Sequence, residues 1–150
     1  MSGKVVIDAS LALKWVLTEP FSDEALALLE EWRMQEVRLC APELLIYEAA
    51  SALYKRTTRG ELPLDQAQKA LDELIDTGPR LVTGAPLSSR AMEIAQDFKR
   101  PTAYDAQYLA LAERENCACW TADERLWNAV RHRIRWVRWI GERPPGKSTT

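Results

Sequence analysis

Apolar residues recur along the chain with two different spacings, and stretches of the two kinds alternate. Short uncharged runs without alternation, of which Val5-Val6-Ile7 is the clearest, are typical of strands buried on both faces. Stretches with apolar residues three and four positions apart, such as Ala25, Leu28, Leu29 and Trp32, predict amphipathic helices. The predicted strands are 4–8, 37–41, 81–83, 117–121 and 134–140, and the predicted helices are 10–17, 22–36, 42–59, 62–75, 86–99, one with Asp105 in its first turn, and 124–130.

This alternation of strands and helices predicts the fold class. Strands separated by helices form a parallel sheet whose two faces are both covered. The chain has 150 residues, enough for one domain with a substantial core. We therefore expect an α/β fold, a three-layer α/β/α sandwich with a central parallel sheet, over residues 1–141. Residues 142–150 contain two prolines, a glycine and three small hydroxyl residues, which predicts a flexible tail.

Composition predicts a soluble protein of the cytoplasm. Hydrophobic residues make up 47% of the chain and charged residues 28%, a globular profile. No apolar run approaches the ~20 residues that a membrane helix needs, and the first run stops at Asp8, too early for a secretory signal. Cys40, Cys117 and Cys119 are odd in number and lack the spacing of a zinc site, so we expect reduced thiols.

Charge is unevenly distributed. The net charge is −2, but residues 125–150 carry seven Lys or Arg residues against one acid, Glu142. Such a basic end beside an acidic body can attract a phosphate backbone or an acidic protein. A solvated surface explains it equally well.

Four acids are candidates for chemistry. Asp8 and Asp123 follow predicted strands, at the edge of a parallel sheet where ligands bind, and Asp105 begins a helix. Glu48 is the only charge between Leu44 and Tyr54, and a buried carboxylate costs several kcal/mol unless it is paired. We expect these acids to share one site.

Each acid also has an ordinary structural explanation. Asp8 and Asp123 are suited to cap the helices that follow them, and Asp105 to complement a helix dipole. For Glu48 the alternative is an ion pair, with Arg100 or Lys14 as the partner.

Converging carboxylates repel one another and take up protons unless a cation is present. Oxygen ligands favour a hard divalent ion, Mg²⁺ or Mn²⁺. The single histidine, His132, lies in the basic segment, so it supports neither a histidine-held zinc site nor a serine–histidine mechanism at these motifs. A metal held by carboxylates can activate a water molecule and stabilise the transition state of phosphodiester hydrolysis.

Four stretches carry a resemblance to a known family. They read VVIDASLALKW from Val5, PELLIYEAASAL from Pro42, YDA from Tyr104 and TADERL from Thr121. In order and spacing they resemble the motifs of PIN-domain proteins, and in particular of the VapC-like toxins of prokaryotic toxin–antitoxin pairs. The resemblance extends from about residue 4 to about residue 140.

The resemblance implies a PIN-like sandwich and an endoribonuclease that depends on Mg²⁺ or Mn²⁺. It also implies a homodimer and a small cognate antitoxin. The family's acidic quartet falls on Asp8, Glu48, Asp105 and Asp123, its supporting hydroxyl positions fall on Ser10 and Thr121, and Ser51 stands where members often carry Asn. We expect Asp8, Glu48 and Asp105 to hold the metal directly, with Asp123 either behind them or at a second metal.

Two other functions fit the same acids. One is a structure-specific DNA nuclease, although such enzymes add insertions that this chain has little room for. The other is a non-catalytic module that holds a metal or a basic partner. Among the aromatic residues, a role in stacking on bases competes with burial in the core, which we favour for most of them: Tyr47, Tyr54, Tyr104 and Tyr108.

Overall fold

The computed structural model describes residues 3–143. Within these residues a five-stranded parallel sheet is flanked by seven helices, which confirms the predicted fold class. The elements are β1 Lys4–Ile7, α1 Ala9–Val16, α2 Ser22–Met34, β2 Arg38–Pro42, α3 Leu44–Thr58, α4 Leu64–Asp76, β3 Arg80–Val82, α5 Ala85–Asp97, α6 Tyr104–Glu115, β4 Ala118–Thr121, α7 Glu124–Val130, β5 Val137–Trp139 and a 3₁₀ turn, Ile140–Glu142.

The order of the strands creates a crevice beside the central strand. The sheet runs β3-β2-β1-β4-β5, and every neighbouring pair is parallel. The chain first moves outward from β1 to β2 and β3, and then returns to the other side for β4 and β5. Ligands of open α/β sheets bind at such a reversal, outside the carboxyl ends of the strands. The ends of β1 and β4 are therefore the expected place for a site.

Burial of α6 fixes one wall of this crevice. Its residues 106 and 108–112 are all buried, and the helix contacts β1, β2 and β4. Three of these residues are alanines, Ala106, Ala110 and Ala112, whose small side chains let the helix lie close to the sheet. On the sheet side, Val6 and Ile7 are completely buried. The first turn of α6 is thus held next to the end of the central strand.

The helical hairpin of α3 and α4 turns at a glycine, as predicted. Gly60 has a φ of 75°, a left-handed conformation that L side chains rarely adopt. The N–H of Gly60 donates to the Thr57 carbonyl at 3.0 Å, and the N–H of Glu61 donates to the Arg56 carbonyl at 2.9 Å. These bonds close the last turn of α3.

Two predicted helix starts are wrong. Pro42, expected to open α3, is the last residue of β2 and pairs with Val82, because the ladder to β3 extends the strand. Ser22, expected to cap α2, instead donates its hydroxyl to the Leu17 carbonyl at 2.8 Å and accepts from the Glu19 N–H at 2.9 Å. Its hydroxyl thereby serves the preceding loop.

The last strand is shorter than predicted. The last strand covers Val137–Trp139 rather than 134–140, because Ile134 still bonds back to the Val130 carbonyl and Ile140 enters the 3₁₀ turn. Of the expected tail, Glu142 and Arg143 are described, and Arg143 lies 3.5 Å from Glu31. The rest of that prediction, 144–150, lies outside the described residues.

Between residues 3 and 143, none of the helices combines the length and the apolar character needed to cross a bilayer.

Candidate active site

Asp8 stands at the carboxyl end of β1 and begins α1. Its Oδ1 accepts hydrogen bonds from the Leu11 N–H at 3.0 Å and from the Ser10 hydroxyl at 2.7 Å. The residue is 6% exposed. Burial raises the pKa of Asp8 from 3.8 to about 7, and the charge of Asp105 adds to the rise while the hydrogen bonds oppose it. Asp8 is therefore a helix cap and, at the same time, a carboxylate poised to change charge near neutral pH.

Two hydroxyls join the ends of β1 and β4. Ser10 Oγ accepts from the Ala122 N–H at 2.9 Å and lies 3.2 Å from Thr121 Oγ1. Thr121 is completely buried, and its Oγ1 accepts from the Asp123 N–H at 2.9 Å. Since Ser10 also donates to Asp8, these contacts connect the two strand ends through residues that are 111 positions apart.

Glu48 reaches the same region from α3. It is half-buried, and its Oε1 accepts a hydrogen bond of 2.6 Å from the hydroxyl of Tyr108. Tyr108 is 1% exposed and belongs to α6, so the bond ties two helices together. Burial raises the pKa of Glu48, the Tyr108 hydrogen bond opposes that rise, and the charge of Asp105 adds to it.

The expected alternative for Glu48, an ion pair, is wrong for both candidate partners. Lys14 pairs with Glu19 at 3.2 Å, and Arg100 pairs with Asp105. Each cation instead pairs with a carboxylate that lies only five residues away along the chain.

Asp105 lies in the first turn of α6 and links the three acids electrostatically. Its Oδ2 accepts a hydrogen bond of 3.0 Å from Arg100 Nη2. Its charge raises the pKa of Asp8 and of Glu48. β1, α3 and α6 thus deliver three carboxylates that interact with one another.

Asp123 is placed differently from the other acids. It caps α7, where its Oδ1 accepts from the Arg125 N–H at 3.0 Å and from the Leu126 N–H at 3.2 Å. Its connection to Asp8 runs through the hydroxyls of Thr121 and Ser10.

The acids fit a hard cation by their chemistry. Among residues 3–143 there is no group of three or more His, Cys, Asp or Glu side chains arranged to hold a metal ion. The candidate donors are carboxylate and hydroxyl oxygens, which Mg²⁺ and Mn²⁺ prefer. Asp8 is buried, and the pKa of both Asp8 and Glu48 is raised. A divalent cation beside these carboxylates would stabilise their charged forms and oppose the rise in pKa, so the residues fit such an ion.

Comparison with known proteins identifies the family of this chain. Residues 5–132 match the PIN domain family. The chain belongs to the PIN-domain family. It is 36% identical to Ribonuclease VapC9 of Mycobacterium tuberculosis over 123 residues, which cover 81% of this chain and 87% of the relative. It is 32% identical to Ribonuclease VapC3 of Pyrobaculum aerophilum over 124 residues, 82% of this chain and 92% of that protein.

Solved structures share the fold of this PIN-domain chain. The crystal structure of PAE2754 from Pyrobaculum aerophilum has a TM-score of 0.70 at 21% identity and covers 95% of this chain and 94% of that one. A toxin–antitoxin complex from Klebsiella pneumoniae has a TM-score of 0.66 at 17% identity, with coverage of 91% and 97%. The resemblance noted from the four motifs, and the sandwich that it implies, are confirmed.

The sequence did not identify Tyr108 as part of the site, and it assigned Arg100 to the wrong partner. Tyr108 lies three residues after Asp105 and therefore on the same side of α6, a spacing that could have identified it. Arg100 was considered only as a partner of Glu48. Burial in the core, favoured for most tyrosines, holds for Tyr108 alone, because Tyr47, Tyr54 and Tyr104 are each more than half exposed.

The raised pKa of Asp8 predicts how Asp8→Asn changes stability. Because the folded state binds this proton more tightly than the unfolded state, the Asp8 contribution to stability is greatest below pH 4 and is lost as the pH rises from about 4 to about 7. Asn keeps the acceptor for Leu11 and has no charge to bury. In chelator, Asp8→Asn should raise the free energy of unfolding by about 2–4 kcal/mol at pH 8 and far less at pH 4.

Urea unfolding at both pH values measures the effect. Asp72→Asn is the control, since Asp72 is exposed on α4. An Asp8→Asn variant that is no more stable than the parent at pH 8 would contradict the assigned cost of burying the charge.

Proposed function

We propose that this PIN-domain protein is a metal-dependent endoribonuclease and the toxin of a toxin–antitoxin pair. The observation that carries the proposal is the 36% identity, over most of both chains, to a relative named as a ribonuclease. The three interacting acids at the reversal of strand order supply the matching chemistry. The reaction is hydrolysis of an RNA phosphodiester bond.

We assign the metal to Asp8, Glu48 and Asp105, and the ion to Mg²⁺ or Mn²⁺. Asp123 either supports these acids from behind or holds a second ion. When bound, the metal supplies an activated water and stabilises negative charge on the phosphate. The support is the oxygen chemistry of the donors, and the raised pKa of Asp8 and Glu48 in the absence of a cation.

The neighbouring side chains position these acids. Tyr108 donates to Glu48 and fixes its carboxylate, while Ser10 and Thr121 hold Asp8 and the end of β4 in register. Ser51 is exposed one turn after Glu48, so it can reach the same groove as a shorter donor than the Asn often found there.

Arg100 has a separate role in this scheme. It neutralises Asp105 when no cation is present. If a cation were held beside Asp105, the Arg100 guanidinium would be free to bind a phosphate oxygen.

The relatives and the structure both favour RNA over structure-specific DNA as the substrate. The described chain has one sheet with its flanking helices, and its longest intervals between elements, 98–103 and 131–136, span six residues each. There is no segment within 3–143 that forms an arch or an added DNA-binding unit. The non-catalytic alternative has no specific observation in its favour.

For partners we propose a cognate antitoxin and a second copy of the chain, in the cytoplasm. The antitoxin is supported by the fold neighbour described as a toxin–antitoxin complex. A homodimer is supported by an apolar surface on α3 and α4, where Tyr54 is 59% and Leu64 51% exposed. They border a shallow pocket lined by Ala50, Leu53, Tyr54, Leu64, Ala67, Gln68 and Leu71.

The assigned acids predict the behaviour of two isosteric variants. Asp105→Asn and Glu48→Gln each remove one metal-binding charge without changing shape. Each should lower the rate of RNA cleavage at least ~100-fold while leaving the circular dichroism spectrum unchanged. Asp72→Asn, an exposed acid on α4, should cleave like the parent.

The assay uses the purified, partner-free protein with a mixed RNA pool and matched DNA, in Mg²⁺, Mn²⁺ or chelator. Cleavage of RNA retained by folded Asp105→Asn would overturn the assigned chemistry. Equal cleavage of DNA would favour the DNA nuclease, and a folded parent without any activity would favour the binding module.

Tyr108→Phe tests the positioning of Glu48 by metal binding rather than by activity. It removes the hydroxyl that donates to Glu48 and keeps the buried ring. Loss of such an outer partner of a metal ligand should weaken Mn²⁺ binding about 10-fold. Isothermal titration calorimetry without RNA measures the Mn²⁺ affinity. The control is Tyr54→Phe, at an exposed position of α3. Unchanged Mn²⁺ affinity in Tyr108→Phe would exclude this role for the hydroxyl.

The homodimer is tested by the mass in solution. Light scattering after gel filtration should give twice the 17.1 kDa of one chain. Leu64→Lys on the apolar surface of α4 should yield monomers, whereas Met34→Lys, at a 79% exposed site on α2, should stay dimeric. A parent protein that elutes as a monomer at 50 µM, about the concentration of a routine preparation, would count against the dimer.

A further inference from the structure

Five arginines lie between the first turn of α7 and the edge strand β5. Residues 125–138 contain no Asp or Glu. We call the set the α7–β5 arginines, and every one is exposed: Arg125, Arg131, Arg133, Arg135 and Arg138.

Most arginines elsewhere in the described chain are paired with a carboxylate. Seven of the nine arginines elsewhere in residues 3–143 lie within 4.0 Å of a carboxylate, and only Arg38 and Arg59 do not. The paired ones are Arg33, Arg56, Arg80, Arg90, Arg100, Arg114 and Arg143. None of the α7–β5 arginines has such a partner in the described part of the chain. Their positive charge is therefore concentrated and uncompensated.

Aromatic rings hold part of this charge in place. The Arg131 guanidinium lies 3.9 Å from the centre of the Trp127 ring, and that of Arg133 lies 4.9 Å from the Phe98 ring. Trp127 in turn stacks on Trp139 at 5.1 Å between ring centres. Such contacts order a guanidinium without neutralising it, in contrast to an ion pair. A positioned and unneutralised guanidinium is suited to bind an anion.

The α7–β5 arginines begin beside Asp123 and extend to the loop 131–136, which enters the edge strand β5 at its amino end. Asp123 caps α7, and Arg125 follows two residues later. β5 is the edge strand next to β4, and Arg138 is in register with Trp120, one residue before Thr121. A polyanion that leaves the acids along this edge of the sheet meets Arg125 and Arg138 before the arginines of the loop 131–136.

Electrostatics of the site require cationic help from outside. Arg100 and one divalent cation together neutralise only three of the four carboxylates, so the site does not attract a polyanion by itself. Guanidinium groups bind phosphate with two parallel hydrogen bonds, and the set consists of arginines without any lysine.

We propose that the α7–β5 arginines bind the phosphate backbone of the RNA on one side of the bond that is cut. This inference rests on the proposed function. The surface supplies affinity for long RNA and takes no part in the chemistry.

The test measures RNA binding in chelator, so that cleavage plays no role. The probe is fluorescein-labelled U20 RNA, titrated with protein at salt concentrations from 50 to 300 mM. The test variant is Arg135→Gln/Arg138→Gln. The matched control is Arg38→Gln/Arg59→Gln, which removes the same charge at two exposed, unpaired arginines elsewhere.

The test variant should bind U20 at least ~10-fold more weakly at 100 mM salt. Its slope of log affinity against log salt should be smaller by about 1.4, since each phosphate contact to a single strand contributes about 0.7. The control should change the affinity less than about 2-fold. A test variant that matches the control in affinity and slope would overturn the inference.

A competition experiment separates RNA from an acidic protein as the ligand. Poly-glutamate of 20 residues should displace U20 only at far higher concentration. Equal competition, abolished by the same substitutions, would assign the surface to an acidic protein and overturn the RNA proposal.

Activity then separates this inference from the proposed function. With Mg²⁺ and a long RNA, the test variant should lose kcat/KM about 10-fold and keep its kcat, since the chemistry is untouched. If the parent cleaves no RNA, the proposed function fails, whereas the U20 titration still decides whether these arginines bind RNA. If the parent cleaves and the test variant keeps its kcat/KM, the inference fails alone.

Discussion

Burial of the Asp8 carboxylate at the end of the central strand is the constraint on which the site depends. The strand itself is buried on both faces, so the residue that follows it starts from a dry environment. Bonds from Leu11 and Ser10 offset part of the desolvation of its charge, and the pKa of Asp8 remains raised to about 7. The fold thus buries a carboxylate whose charged form is unfavourable when no cation is present and favourable beside a cation. Stability given up at such a position is a common property of functional sites.

The structural and the chemical uses of the acids do not exclude each other. Asp8 and Asp123 cap helices, and Asp105 sits in a first turn, as the ordinary explanations had it. A cap residue has a fixed backbone and one engaged oxygen, which orients the carboxylate that it carries. Only for Glu48 did the two explanations compete, and there a buried hydroxyl from α6 takes the place of the ion pair.

Charge in this protein is separated by position in the fold rather than by domain. Three of the carboxylates lie where β1, α3 and α6 come together, whereas the α7–β5 arginines lie on α7, on β5 and in the loop 131–136 between them. A nuclease needs both, because the acids that hold a metal repel the polyanion that is to be cut. Placing the positive charge outside the crevice would keep it from competing with a cation at the acids, except at Arg100, which bonds to Asp105 directly.

The sequence by itself determined the fold class and nearly every element, and it predicted which four acids are candidates for the site. Those properties follow from local spacing and from motifs in register, which are visible without knowledge of distant contacts. Tertiary structure alone decided that Pro42 extends β2, that Tyr108 bonds to Glu48 and that Arg100 turns to Asp105. The Pro42 and Tyr108 contacts join residues 40 or more positions apart, and spacing along the chain does not decide which carboxylate Arg100 faces, so only the packed chain selects the partner.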